Sequence, residues 1–141
     1  MSSLTMSDDN VLYLWPVFKD ILMSKTLVLG ASIKDYRYSN IAIRNLTEHG
    51  EEVVALGLRG GKVAGVEIET GFPEFKNVHT VTLYLNAQRQ AQYYDYIISL
   101  APKRVIFNPG AENHEFADIL VEKNIAFENA CTLVMLSTDQ F

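Results

Sequence analysis

The stretch Thr26–Asn40, TLVLGASIKDYRYSN, joins a short continuous apolar run to a helix through a turn of small residues. Residues 26–30 read as a strand buried on both faces, because nothing charged interrupts Leu27, Val28 and Leu29. Gly30-Ala31-Ser32 lets the backbone turn tightly. Ser39 is the expected N-cap of a helix that buries Ala42, Ile43 and Leu46, and Gly50 ends that helix. A strand that feeds a helix in this way holds phosphate in many folds, since the helix N-terminus offers unpaired N–H groups and the positive end of its dipole.

The same alternation runs through the rest of the chain. EEVVALG (51–57) reads as a second strand, followed by the glycine-rich RGGKVAGVEIE (59–69), expected to be a loop with a small edge strand. HTVTLYL (79–85) is a third strand, β-branched and apolar. Asn86 is placed to cap a helix whose Ala87, Ala91, Tyr94 and Ile98 share one face, and Pro102 closes the segment. KRVIFN (103–108) is a fourth strand, AENHEFADILVEKN (111–124) a helix with Phe116, Ile119 and Leu120 inward, and IAFEN (125–129) a fifth strand. CTLVMLST (131–138) fits either a helix or a strand. Strands alternating with helices imply right-handed βαβ units. The expected fold is therefore α/β, a three-layer α/β/α Rossmann-like domain with a mostly parallel sheet of about five strands.

With 141 residues, 48% of them hydrophobic and 21% charged, the chain is one domain's worth of ordinary globular sequence. Its net charge of -5 gives no footprint for nucleic acid or an anionic membrane, so an anionic ligand requires locally placed cations. The lone cysteine, Cys131, cannot form an internal disulfide, and a cytoplasmic setting is the expectation. Residues 1–24 read as an N-terminal arm ahead of a domain spanning 25–141. Within the arm, VLYLWPVFKDILM (11–23) is too short and too interrupted to span a bilayer, and no basic segment precedes it as in a signal peptide. It is either a helix or arm packed on the domain, or an extension ahead of a natural start at Met23.

In parallel sheets of this kind the ligand sits at the strand carboxyl ends, near the point where strand order reverses. At the first such end, Ser32 offers a hydroxyl, Arg37 a forked donor and Lys34 a point charge. A single Gly-Ala-Ser falls short of the three spaced glycines of a dinucleotide fingerprint, and a plain turn with solvated cations remains the alternative. At the second end the acid that would hold an NAD ribose is missing. Arg59 and Lys62 stand there instead and suit a phosphorylated ribose, as in NADP or coenzyme A. At the third and fourth ends, Asn86 and Asn108 can read an amide or base edge, and Pro109-Gly110 makes a turn with open amides.

Catalytic groupings are sparse. Cys131 lies in an apolar run, and Glu112 at a helix start fits an ordinary dipole partner. His49 reads as a helix C-terminal cation, His79 belongs to the sheet edge away from the ligand, and only His114 could approach the site. No Cys or His pair has metal spacing, and neither a nucleophile elbow nor a Walker loop occurs.

Taken together, VLGAS with RYSN, VTLYLN, IFNPGAEN and ACTLVML resemble the small stand-alone CoA-binding domain proteins, a family related to the N-terminal CoA-binding domain of the succinyl-CoA synthetase alpha subunit. The resemblance covers about residues 25–141. It implies coenzyme A, free or acylated, at the strand carboxyl ends. Gly30, Ala31, Ser32 and Arg37 would meet the phosphates, with Tyr38, Ser39 and Asn40 closing that turn. Tyr84, Leu85 and Asn86, with Asn108, Pro109 and Gly110, would line the nucleotide and pantetheine path. The chain departs from the family at IKDY (33–36), where many relatives carry proline, and at LGLRGG (56–61), where many have Asn-Pro. The second departure weakens any role transferred to Leu58 or Arg59. The larger synthetases add a phosphohistidine domain for which 141 residues leave no room. The expectation is binding without catalysis, as a sensor, carrier or partner subunit, with a protein partner or a second copy left open. An NADP-dependent oxidoreductase is the alternative, and a vestigial interaction domain a third reading.

Overall fold

The computed structural model describes residues 24–141, with Leu14 alone before them. The expected N-terminal arm and the Met23 start therefore lie outside the described residues. Strand β1 (Lys25–Leu29) leads through the Gly30 turn into helix α1 (Tyr38–Glu48) and then β2 (Glu52–Leu56). A hairpin, β3 (Gly61–Val63) and β4 (Val66–Glu69), precedes β5 (Val78–Leu83). Two short helices follow, α2 (Ala87–Gln90) and α3 (Tyr94–Leu100), joined by a 3₁₀ turn at Ala91–Tyr93. The chain then runs through β6 (Arg104–Phe107), α4 (His114–Glu122), β7 (Ala126–Asn129) and α5 (Thr132–Ser137).

The strands form one seven-stranded sheet in the order β3-β4-β2-β1-β5-β6-β7. Every neighbouring pair is parallel except the β3–β4 hairpin. The α/β Rossmann-like fold is thus present, with two more strands than the sequence led us to expect. The extra pair comes from the glycine-rich segment, in which β4 also pairs in parallel with β2.

Side chains alternate across the sheet and build a core on each face. Leu27, Leu29 and Leu56 join Val81, Ile97, Phe107, Phe116 and Leu120 on the face covered by α3 and α4. Val28 and Ala55 join Ile43, Leu46 and Leu136 on the face covered by α1 and α5. Burying each large apolar side chain contributes about 1.5–3 kcal/mol, which is why β1, apolar on both faces, sits at the centre of the sheet. The C-terminal apolar segment is helix, since Met135 and Leu136 bury one face while Val134 stays exposed.

Two helix readings shift. Helix α1 starts at Tyr38, so Arg37 is the N-cap and Ser39 lies inside the first turn, nearly buried. After Asn86 the inward face falls one residue earlier than expected, and Gln90, Tyr93 and Ile97 are buried while Ala91 is exposed. Asn86 does cap α2, accepting the Arg89 N–H at 3.0 Å. Among the described residues no helix is long and apolar enough to cross a membrane.

Candidate functional site

Chain order reverses beside β1: the early strands spread to one side of it, and β5, β6 and β7 to the other. The carboxyl ends of β1, β2, β5 and β6 border a cleft of about 510 Å³, within the usual size of a small-molecule site. A smaller pocket of about 170 Å³ opens at the opposite edge, beside Lys25, His79 and Arg104. His79 therefore lies away from the cleft, as the sequence indicated. Burial, then the Arg104 and Lys103 charges, lower its pKa, with Glu51 opposing them.

The Gly30 turn is built by close approach. Gly30 has φ of +98°, and a Cβ there would stand 3.0 Å from the Tyr84 carbonyl carbon. The Gly30 and Ala31 N–H groups both donate to the Leu56 carbonyl, at 2.9 and 3.0 Å. They tie β1 to the end of β2 and are not donors for a ligand. The residues lining the cleft here are Ser32, whose hydroxyl accepts the Lys34 N–H at 3.1 Å, with Lys34, Arg37 and the start of α1 at Tyr38 and Ser39. The first-turn amides of that eleven-residue helix carry its positive pole. Arg37 lies over the Tyr36 ring at 5.7 Å from its centroid.

The β2 end adds Gly57, Leu58 and Arg59, while Lys62 lies outside the cleft, facing Glu67 across the hairpin at 3.9 Å. The β5 end adds Tyr84, Leu85, Asn86 and Arg89, with Tyr93 behind them, and the β6 end adds Pro109, Gly110 and Ala111. The Gly110 amide, expected to be open, donates to the Glu112 carboxylate at 2.8 Å. Among the described residues, the four cations Lys34, Arg37, Arg59 and Arg89 line the cleft, and no carboxylate does.

Apart from Lys62 on the hairpin, the sequence-expected binding residues border this cleft except Asn40 and Asn108, which lie beneath it. Asn40 is fully buried, donating from Nδ2 to the Ser32 carbonyl at 2.9 Å and accepting from Arg44 Nε at 2.8 Å. Asn108 donates to Thr82 Oγ1 at 2.7 Å and the Leu83 carbonyl at 2.9 Å, and accepts the Thr132 N–H at 2.9 Å. Their amides are used in holding the turns above them.

The Tyr84 hydroxyl is buried near Thr82 and Thr132, and among the described residues it has no hydrogen-bond partner. Burial is the main reason its pKa is pushed up to about 12, the two threonines only partly offsetting it. His114 begins α4 and does not line the cleft. Cys131 caps α5, half-buried. Among the described residues no group of three or more His, Cys, Asp or Glu is placed to hold a metal ion.

Sequence reasoning missed Arg89, Gly57 and Tyr93. Arg89 was within reach of it: once Asn86 caps a helix at a strand's carboxyl end, a cation three residues on belongs to the ligand edge. Tyr93 was missed because the inward face falls one residue before the Ala91, Tyr94 and Ile98 set that the sequence suggested.

Comparison with known proteins gives the fold and the family. A solved structure of an uncharacterized protein is 49% identical, has a TM-score of 0.81, and covers 84% of this chain and 98% of its own. A hypothetical protein from Pyrococcus horikoshii has a TM-score of 0.75 at 21% identity, covering 94% of this chain and 92% of its own. A Thermus thermophilus protein has a TM-score of 0.69 at 20% identity, covering 96% of this chain and all of its own. At those lower identities the likeness is one of fold. No curated protein matches. The family model for the CoA binding domain matches residues 24–137, nearly the whole described chain. The chain belongs to the CoA-binding domain family.

Proposed function

We propose that this chain binds coenzyme A or an acyl-CoA along the carboxyl edge of its sheet and carries out no chemistry on it alone, serving as a sensor, carrier or partner subunit. The observation that carries the reading is the charge of the cleft. In a chain of net charge -5, four cations and no carboxylate line it among the described residues. The first turn of α1 with Arg37 and Lys34 suits a diphosphate, by dipole, amides and direct charge together. Arg59, at the end of β2, suits the ribose phosphate. The amide-rich pantetheine arm then crosses the reversal point toward Tyr84–Asn86 and Pro109–Ala111.

The described lining offers hydroxyls, side-chain and backbone amides and cations, but no imidazole, thiol or carboxylate, which supports binding over acid–base or nucleophilic chemistry. Lys62 faces Glu67 away from the cleft, which leaves Arg59 to meet the ribose phosphate of either ligand, and it is the missing three-glycine fingerprint that weighs against NADP.

A thermal-shift titration with CoA, acetyl-CoA, NADP and NAD tests the reading. A ligand at about 100 times its dissociation constant stabilises the fold by roughly 2.7 kcal/mol, a rise of several degrees for a domain of this size. Stabilisation by CoA and not by NADP is the expected result. A shift with NADP alone would replace the reading with a reductase, and no shift with any of the four would leave the vestigial domain.

A further inference from the structure

Coenzyme A carries its charge at one end. The diphosphate and ribose phosphate are anionic, whereas the pantetheine arm and a simple acyl group present only amides, a thioester and methyl groups. The cleft, in contrast, is cationic on both sides of the reversal point. Lys34, Arg37 and Arg59 lie on the β1–β2 side, and Arg89 follows β5 on the other. With the phosphates on the first side, Arg89 faces the part of the ligand that has no charge of its own.

We propose that the cleft selects an acyl-CoA whose acyl group ends in a carboxylate, and that Arg89 is the residue that reads it; this rests on the coenzyme A reading above. Three observations support it. Among the described residues, Arg89 is the one charged lining residue on the β5–β6 side. Its backbone is fixed by the Asn86 cap at 3.0 Å, while its exposed guanidinium has no ion pair or side-chain hydrogen bond among the described residues. The Gly110 amide, the neighbouring group able to hold an anion, is already engaged by Glu112 at 2.8 Å. The planar fork of arginine matches a carboxylate with two parallel hydrogen bonds, which a neutral acyl end cannot accept. Tyr93, on the same side, with its ring tilted against that of Phe72 at 5.6 Å, adds an apolar edge for the intervening methylenes.

The test is isothermal titration of the full chain with free CoA and two matched pairs, propionyl- against malonyl-CoA and valeryl- against glutaryl-CoA. Each pair has equal carbon number and differs in the terminal carboxylate. The expected result is tighter binding of the dicarboxylic member in at least one pair, by roughly tenfold for a charge-assisted contact. That ratio should fall to about one in Arg89→Met and be partly kept in Arg89→Lys, both variants melting as the parent does. Equal affinities within both pairs overturn the inference and leave the coenzyme A reading standing. So does an Arg89→Met variant in which all five ligands weaken alike, which puts the guanidinium on a phosphate. A preference that survives Arg89→Met refutes the assignment to Arg89. Failure of free CoA and every thioester to bind overturns the coenzyme A reading itself, and this inference falls with it.

Discussion

Replacing Gly57 with alanine would insert a methyl group between the end of β2 and the Gly30 turn. A Cβ at Gly57 would come within 3.0 Å of the Ala31 carbonyl oxygen, closer than real Cβ atoms approach, and would stand 3.2 Å from both the Ala31 carbonyl carbon and Ile68 Cγ2. The first two of these are backbone atoms, so no rotamer change relieves the contact. The Ala31 carbonyl would have to retreat by more than about half an ångström, straining the hydrogen bonds from Gly30 and Ala31 to Leu56. Overpacking of this kind destabilises by about 1–3 kcal/mol, which at roughly 3 °C per kcal/mol is a fall of about 3–9 °C in Tm. Gly60 provides a matched control. Its backbone is likewise outside the left-handed region, and its Cβ would stand an ordinary 3.5 Å from the Ile68 carbonyl oxygen. Gly60→Ala should therefore leave Tm within about 1–2 °C of the parent. The assays are thermal melts and CoA titrations on both variants, because the displaced carbonyl belongs to the turn that carries Ser32. Gly57→Ala should lower both stability and affinity. A Gly57→Ala protein that melts and binds like Gly60→Ala would refute the claim that contact between β2 and the Gly30 turn shapes the site.

Arg37→Ala should weaken CoA binding by about 1.5–3 kcal/mol, the contribution of a charged hydrogen bond, measured by titration calorimetry. Arg37 is exposed, so its stability in urea should change by no more than about 0.5 kcal/mol. Asn108→Ala removes three hydrogen bonds of 2.7–2.9 Å from a buried network and strands the Thr132 N–H, so urea unfolding should show a loss of about 2–4 kcal/mol. Tyr84→Phe removes a buried hydroxyl that has no partner among the described residues, and should be neutral or stabilising by up to about 1 kcal/mol. The same residue sets an alkaline limit. With its folded pKa pushed up to about 12 against the usual 10.0, the phenol keeps its proton in the fold where the unfolded chain has lost it. That raised pKa opposes unfolding least at high pH: sign for sign, its stabilisation is complete below pH 10 and is lost as pH rises toward 12. The Tyr84→Phe protein should accordingly lose less Tm than the parent across that window, and parallel pH–melting curves would contradict the assignment.

The parts of the fold legible in the sequence are those where local and long-range demands coincide. Leu27, Val28 and Leu29 are apolar in succession because β1 lies mid-sheet between two cores, so the run of residues announces the position. The β3–β4 hairpin was not legible because its turn falls on Ala64 and Gly65, both at positive φ, at 49° and 80°. A two-residue turn with both φ positive favours Asn-Gly or Asp-Gly, and alanine there gives no signal. The start of α1 misled for a different reason. Ser39 has the chemistry of a cap, but burial holds it in the first turn, and Arg37 takes the cap position with no side-chain hydrogen bond. Leaving that cap unmade has a functional side. A capping side chain would compete for the first turn of α1; with arginine at the cap position the Asn40 N–H turns back to the Arg37 carbonyl at 3.0 Å, and Arg37 adds a cation beside Tyr38 and Ser39 on the cleft wall. The opposite arrangement holds at α4, where Asn113 caps the helix by accepting the Phe116 N–H at 3.1 Å. Glu112 engages the Gly110 amide beside it. One helix start is thus capped by a side chain and the other is not, and the uncapped one stands beside Lys34, Arg37 and Arg59, where the ligand's phosphates are proposed to sit.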